Sequence, residues 1–156
     1  MLRDAPQRPT VLVLTRTSLI TRDAALLVSI PHVLAGVSLP TVDDDARRHF
    51  EPRASSIAVR LDTLRTLRAA GVRTFAIVQP LLPGSLEALA DALAETVSSV
   101  RIDVLSGVQG AAREFSDPRY VHAADASWQA ERARTLATML GASGVAVWQT
   151  ELPPAG

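Results

Sequence analysis

The chain contains no cysteine. That excludes disulfides, thiolate nucleophiles, thiolate zinc sites and cysteine-ligated iron–sulfur clusters within it. It contains no lysine either, and every basic residue is an arginine. A Schiff-base lysine and the lysine of a phosphate-binding P-loop are therefore excluded. Charge of one sign is also missing, because 16 basic and 16 acidic residues give a formal net charge of zero. No whole-protein attraction to nucleic acid or to a membrane surface follows from that balance. Long apolar runs are absent. Val11-Leu12-Val13-Leu14 is typical of the longest, far too short to span a bilayer. The stretch from Met1 to Thr10 is polar and has no apolar region of signal-peptide length, so the expectation is a cytoplasmic chain.

What is present is ordinary globular material: 156 residues, 47% of them hydrophobic and 21% charged, enough for a single domain, residues 1–156, with a core and a short tail at Leu152–Gly156. Short β-branched runs alternate with longer segments of helical spacing. Strands are expected at Thr10–Thr15, Ala35–Leu39, Arg73–Val78, Arg101–Leu105 and Val145–Gln149. These runs are too apolar for a sheet with one wet face, which points to a parallel sheet buried on both sides.

Helix signals fall between them. Thr21 is placed to cap a helix through Leu27, and Thr41 with Asp44 fits a capping box. Ser55 or Ser56 opens a helix carrying Ile57, Leu61 and Leu64 on one face, with Gly71 at its C-terminal end. Pro83-Gly84-Ser85 opens another, with Leu86, Leu89, Ala90 and Leu93 aligned. Trp128, Leu136, Met139 and Leu140 line a last helix that Gly141 should stop. Gly107–Ala126 is the least regular segment and reads as a long loop. Repeated strand–helix units with right-handed crossovers give an α/β fold of parallel βα units. Four or five units do not close an eight-stranded barrel, so the sheet is either open or part of a larger, TIM-like barrel.

Three segments, in order, carry a resemblance. The first runs from Leu14 through Thr15-Arg16-Thr17-Ser18 to Arg22-Asp23. The second is Val37-Ser38-Leu39-Pro40-Thr41, followed by Phe50-Glu51-Pro52-Arg53-Ala54 and Arg60. The third is Ala70-Gly71-Val72 with Val78-Gln79-Pro80-Leu81-Leu82-Pro83-Gly84. Over residues 10–93 the chain resembles the spore photoproduct lyase-like radical S-adenosylmethionine (SAM) proteins. It departs from their pattern at Arg16, where lysine is usual, and at Gln79, where a small residue is common.

The resemblance implies a partial radical SAM barrel, starting at about its third strand, that binds SAM across the C-terminal ends of the strands. It also implies a 4Fe-4S cluster held by three cysteines, and this chain has none. The expected function is a truncated or degenerate radical SAM domain that keeps part of a SAM pocket. The alternatives are a portion of an intact or split enzyme acting on nucleic acid, and a non-catalytic binding or scaffolding domain. A partner carrying the N-terminal half, or a homodimer through an exposed strand edge, is expected too, because Thr10–Thr15 would otherwise expose an apolar edge.

The cofactor-binding candidates are Arg16, Ser38, Glu51, Arg53 and Arg60. Arg16 pairs either with a ligand's carboxylate or phosphate, or with Asp23 or Asp43. Ser38 bonds either a ribose or SAM amino group, or nearby backbone. Glu51 and Arg53 flank a proline whose ring stiffens the corner. They hold a zwitterionic ligand or tie the loop to the barrel rim. Arg60 lies on the border of a buried helix face, where Glu51 is its obvious partner and the SAM carboxylate the functional one. Asp43-Asp44-Asp45 marks a helix start rather than a metal site. His32, His49 and His122 show no ligand spacing. Ser106-Gly107 and Gly110 read as loop, with phosphate binding the alternative.

Overall fold

A computed structural model describes residues 10–105, 107–108 and 110–149. Five strands form one parallel sheet in chain order: β1 (Val11–Thr15), β2 (Val33–Ser38), β3 (Arg73–Val78), β4 (Ser99–Ile102) and β5 (Ala146–Trp148). The helices between them are α1 (Ala24–Val28), α2 (Asp44–Phe50), α3 (Ile57–Ala69), α4 (Leu86–Thr96), α5 (Ala112–Phe115) and α6 (Ala126–Ala142). Each strand pairs in parallel with the next. Every crossover steps the same way, so right-handed connections put the helices on one face of the sheet. A doubly wound sheet would reverse its strand order, and this one does not. The architecture is therefore an arc of a TIM-like barrel.

The main core lies between that face and the helices. Val37, Ala76, Val78, Val100 and Ile102 of the sheet meet Leu64 of α3, Leu89 and Leu93 of α4, and Leu136 and Leu140 of α6. Among the described residues, the other face is packed by strand side chains: Leu34, Phe75 and Trp148, with Leu12 and Ile77 against them. Gly36 sits opposite Phe75 in the register. A Cβ there would stand 2.3 Å from the Phe75 carbonyl oxygen, so the close approach of the two strands requires glycine.

Several expectations hold in detail. Ser56 caps α3 by accepting from the Val59 amide, and Ser85 caps α4 by accepting from that of Ala88. Gly71, at φ +90°, ends the α3 turn. Others are corrected. Thr17, not Thr21, caps the segment after β1, a 3-10 turn over Ser18–Asp23, while the Thr21 hydroxyl donates to the Ser18 carbonyl. The cap of α2 is Asp43, whose carboxylate accepts from the amides of Asp45 and Ala46. Thr41 instead accepts from the Asp43 amide and donates to the Pro83 carbonyl, pinning this turn to the next strand's loop.

β2 begins two residues before the expected Ala35, because Val33 pairs with Val11 and Leu34 with Leu12. β4 begins two residues before the expected Arg101, because Ser99, which looks like turn chemistry, pairs with Phe75. α6 continues through Gly141 to Ala142, and the reversal occurs at Gly144, φ +75°. Gly107–Ala126 is not simply a loop. It holds α5 and a 3-10 turn over Val121–Ala124. Ser106 and the tail at Leu152–Gly156 lie outside the described residues. No described helix is long and apolar enough to cross a membrane.

Candidate functional site

Parallel α/β sheets present ligand-binding loops at the C-terminal ends of their strands. In this chain Arg16 follows β1, Pro40 follows β2 and Gln79-Pro80 follows β3. With Phe50 and Glu51 at the end of α2, and with Leu82, Ala111 and Phe115, they line a cavity of about 160 Å³. Its wall is apolar except for Arg16, Glu51 and Gln79.

A chain of ion pairs leads from the protein interior to this cavity. Arg60, one turn into α3, is 1% exposed. All three of its guanidinium nitrogens donate: Nε to the Ser55 carbonyl at 3.0 Å, Nη1 to the Ser38 carbonyl at 2.8 Å and Nη2 to Glu51 Oε2 at 2.6 Å. Arg60 is thus not on the border of the buried face, as helical spacing predicted, but wholly inside it. The α2–α3 turn folds over its head and, together with the end of β2, supplies the acceptors that a buried guanidinium needs. Arg47 braces the same turn through Asp44 and the Ala54 carbonyl. The second oxygen of Glu51 faces outward and takes Arg16, with Nε at 3.2 Å. The Arg16 side chain is 60% exposed and that of Glu51 12%. Two guanidiniums share one carboxylate, so the triad carries one net positive charge, and its exposed end is Arg16.

Arg16, Glu51 and Arg60 therefore come together, and Ser38 joins them through its main-chain carbonyl rather than its hydroxyl. The partner of Arg16 is Glu51, not Asp23 or Asp43. Arg53 stands exposed in the α2–α3 turn, away from the cavity wall.

A second and larger cavity, about 440 Å³, adjoins the first. It is lined by Gln79, Arg101, Ile102, Asp103, Val104 and Gln149, and Gln79 belongs to both. Arg101 Nε donates to Asp103 Oδ2 at 2.6 Å, and its guanidinium lies 5.6 Å from the centre of the Trp148 ring. This pair is absent from the sequence candidates. A signal for it exists: Arg101 and Asp103 alternate with Val100 and Ile102, so one face of β4 is polar at its C-terminal end. Gln129 of α6 is absent too. It is fully buried, accepts from the Leu81 amide and donates to the carbonyls of Leu81 and Ala123, which fixes the Pro80–Leu82 side of the first cavity.

The side chains suit some groups and not others. A 4Fe-4S cluster needs thiolates, and the chain has none. Among the described residues no three histidine, aspartate or glutamate side chains converge on a metal position. The rim does suit a small zwitterion or anion, through the Arg16 guanidinium, the Glu51 carboxylate and the Gln79 amide. The first cavity is smaller than the roughly 300 Å³ at which whole-ligand pockets begin.

No protein-family model matches the chain. An uncharacterized protein of Methanocaldococcus jannaschii is 24% identical over 87 residues, which are 56% of this chain and 34% of that protein. A spore photoproduct lyase variant solved with bound AdoMet and a dinucleoside spore photoproduct superposes with a TM-score of 0.62 at 17% identity. A second variant of that lyase gives 0.60. Both alignments cover 94% of this chain and 53% of the lyase chain. The chain therefore has the partial-barrel fold of spore photoproduct lyase and spans about half the length of that enzyme.

Proposed function

We propose that the chain is the SAM-cradling part of a radical SAM-type barrel, without the cluster chemistry. The observation that carries this is the Arg16–Glu51–Arg60 triad at the C-terminal ends of the strands, beside a cavity that the fold leaves open. Arg16 supplies the charge for the ligand's carboxylate, Glu51 and Gln79 accept from its amino group, and Arg60 holds Glu51 in place. The larger cavity, with Arg101, Asp103, Gln79 and Gln149, takes the nucleoside. When bound, SAM would supply the sulfonium that such enzymes cleave reductively. The thiolates for the electron-donating cluster must come from elsewhere. Action on nucleic acid and a cytoplasmic location belong to this proposal as well. The first is supported by the likeness to a lyase solved with a dinucleoside spore photoproduct.

The proposal includes a neighbour for β1. Val11-Leu12-Val13-Leu14 is apolar on both faces, as an interior strand is, yet it is only half-buried while β2 is buried throughout. Leu14, Leu19, Leu26 and Val28 around it are each about half exposed. The fitting neighbour is a further parallel strand of the segment that carries the thiolates.

Calorimetric titration with SAM tests the pocket. Binding is expected for the native chain, with at least about a tenfold loss in Arg16→Ala, the scale of one charge-assisted hydrogen bond. Anaerobic treatment with iron and sulfide is expected to leave the chain colourless. Absence of heat with SAM refutes the pocket and favours a scaffolding domain. That second reading has its own support, since Glu51 is already satisfied by two arginines.

A further inference from the structure

The aromatic wall of the first cavity is tied together by a histidine that the proposed ligand does not touch. His49, next to last in α2, places Nε2 2.8 Å from the Glu114 carbonyl oxygen, just past the middle of α5. A carbonyl can only accept, so Nε2 carries the hydrogen and Nδ1 of the neutral ring is an acceptor. Nδ1 lies 4.0 Å from Asp117 Oδ2. Asp117 is itself held by Arg119, whose amide, Nε and Nη2 donate at 2.9, 3.0 and 2.8 Å. The Arg119 guanidinium holds the Asp117 carboxyl down to about 2, so it is anionic across the whole range in which an imidazole titrates.

The neutral ring thus turns a lone pair toward a carboxylate, and the protonated ring turns an N–H toward it. The other groups around the ring are few. Arg113, Glu114 and Ser116 share its 430 Å³ pocket, and Asp45, one turn back on α2, is occupied by Arg48. The Tyr120 ring lies 4.7 Å from the imidazole and carries the Arg119 guanidinium on its face, 5.0 Å from the ring centre.

The tie bears on the cavity through the next residue. Phe50 packs against Phe115 at 4.8 Å and Tyr120 at 5.3 Å, and Phe50, Phe115 and Ala111 form the side of the cavity supplied by α2 and the α5 segment. We propose that His49 is a positioning residue that locks α5 to α2, and that its protonation tightens this aromatic wall over the Arg16 cavity. The effect on a ligand rests on the function proposed above. The tie itself does not.

Two measurements on the full chain separate these. In the first, backbone amide shifts of Ala111–Asp117 are followed by NMR from mildly acid to mildly basic pH, above the range in which carboxyl groups titrate, without ligand. They are expected to titrate with the same midpoint as the His49 ring. In His49→Gln, whose amide keeps a donor for the Glu114 carbonyl but cannot charge, the response is expected to vanish. In the second, SAM affinity at mildly acid pH is compared with that at mildly basic pH. It is expected to be about threefold tighter in acid for the native chain than for His49→Gln, the scale of one partly exposed ion pair. The ligand's own titration cancels in that comparison. Amides that fail to follow His49, or that still respond in His49→Gln, overturn the tie. A tie that titrates while SAM affinity matches the variant at both pH values overturns its coupling to the cavity. Absence of SAM binding at either pH refutes the proposed function, and the amide response still decides the role of His49.

Discussion

Replacing Arg60 by methionine keeps most of the side-chain length and removes three donors at once. The carbonyls of Ser38 and Ser55 lose their guanidinium partners, and Glu51, 12% exposed, loses the shorter of its two ion pairs. Removing one partner of a buried ion pair costs about 3–5 kcal/mol, because the remaining charge stays poorly solvated. In a domain of about 150 residues each kcal/mol moves Tm by roughly 2–4 °C, so Tm should fall by roughly 10 °C. Urea unfolding followed by circular dichroism gives the free energy directly. A second variant guards the interpretation. Arg60→Met with Glu51→Leu replaces the pair by apolar volume and should recover much of the loss, since Arg16 is well exposed and keeps its hydration. A single-variant loss below about 1 kcal/mol, the scale of a surface pair, would refute the buried-anchor argument. So would a double variant as unstable as the sum of its parts.

Gln129→Leu should lower stability by about 2 kcal/mol, because it leaves the amide and carbonyl of Leu81 unpaired inside the protein. Hydrogen exchange at the Leu81 amide should quicken in that variant. An unchanged rate would show that α6 does not hold the Pro80–Leu82 wall. Sedimentation velocity of the isolated chain should show self-association, or thermal circular dichroism a poorly cooperative melt, as its half-buried β1 implies. A monodisperse monomer that melts cooperatively would remove the need for a neighbouring strand.

The fold was largely legible because its signals are local. Near-continuous apolar runs mark buried parallel strands, and Ser56, Gly71 and Ser85 mark helix ends by hydrogen bonds and φ values that each residue type favours. Boundaries that depend on pairing were not legible. Ser99 looks like a turn until its register with Phe75 is known, and Leu34 belongs to β2 only because Leu12 lies beside it. α5, at four residues, is too short to show a period.

The site divided the same way. Glu51 and Arg60 lie on successive elements joined by a short turn, and nearness in sequence with opposite charge suffices to pair them. Glu51 reaches Arg16 only through the sheet, whose order puts the end of β1 beside the turn that follows α2. The aromatic wall of Phe50 and Phe115 escaped notice because each ring stands alone in a polar stretch. The packing of α5 against the end of α2, with His49 bonded across it, brings the two rings together at a tilt.

A chain with zero net charge draws an anion only where its charges are locally unbalanced. Among the described residues, other ion pairs balance in number: Arg65 with Glu95, Arg101 with Asp103, and Arg47 and Arg48 with Asp44 and Asp45. At the ends of β1 and β2 the count differs, because Arg60 and Arg16 share Glu51. The inner guanidinium is desolvated and bound on three sides, so it cannot move to meet a ligand. The outer one is exposed, oriented by a carboxylate that the inner one fixes, and set on the rim of a cavity. Burying Arg60 is costly unless Glu51 is held where it stands, and holding Glu51 there is what aims Arg16. In the function proposed above, the buried arginine acts without contacting any ligand: it converts the rigidity of α3 into the position of a charge at the cavity mouth.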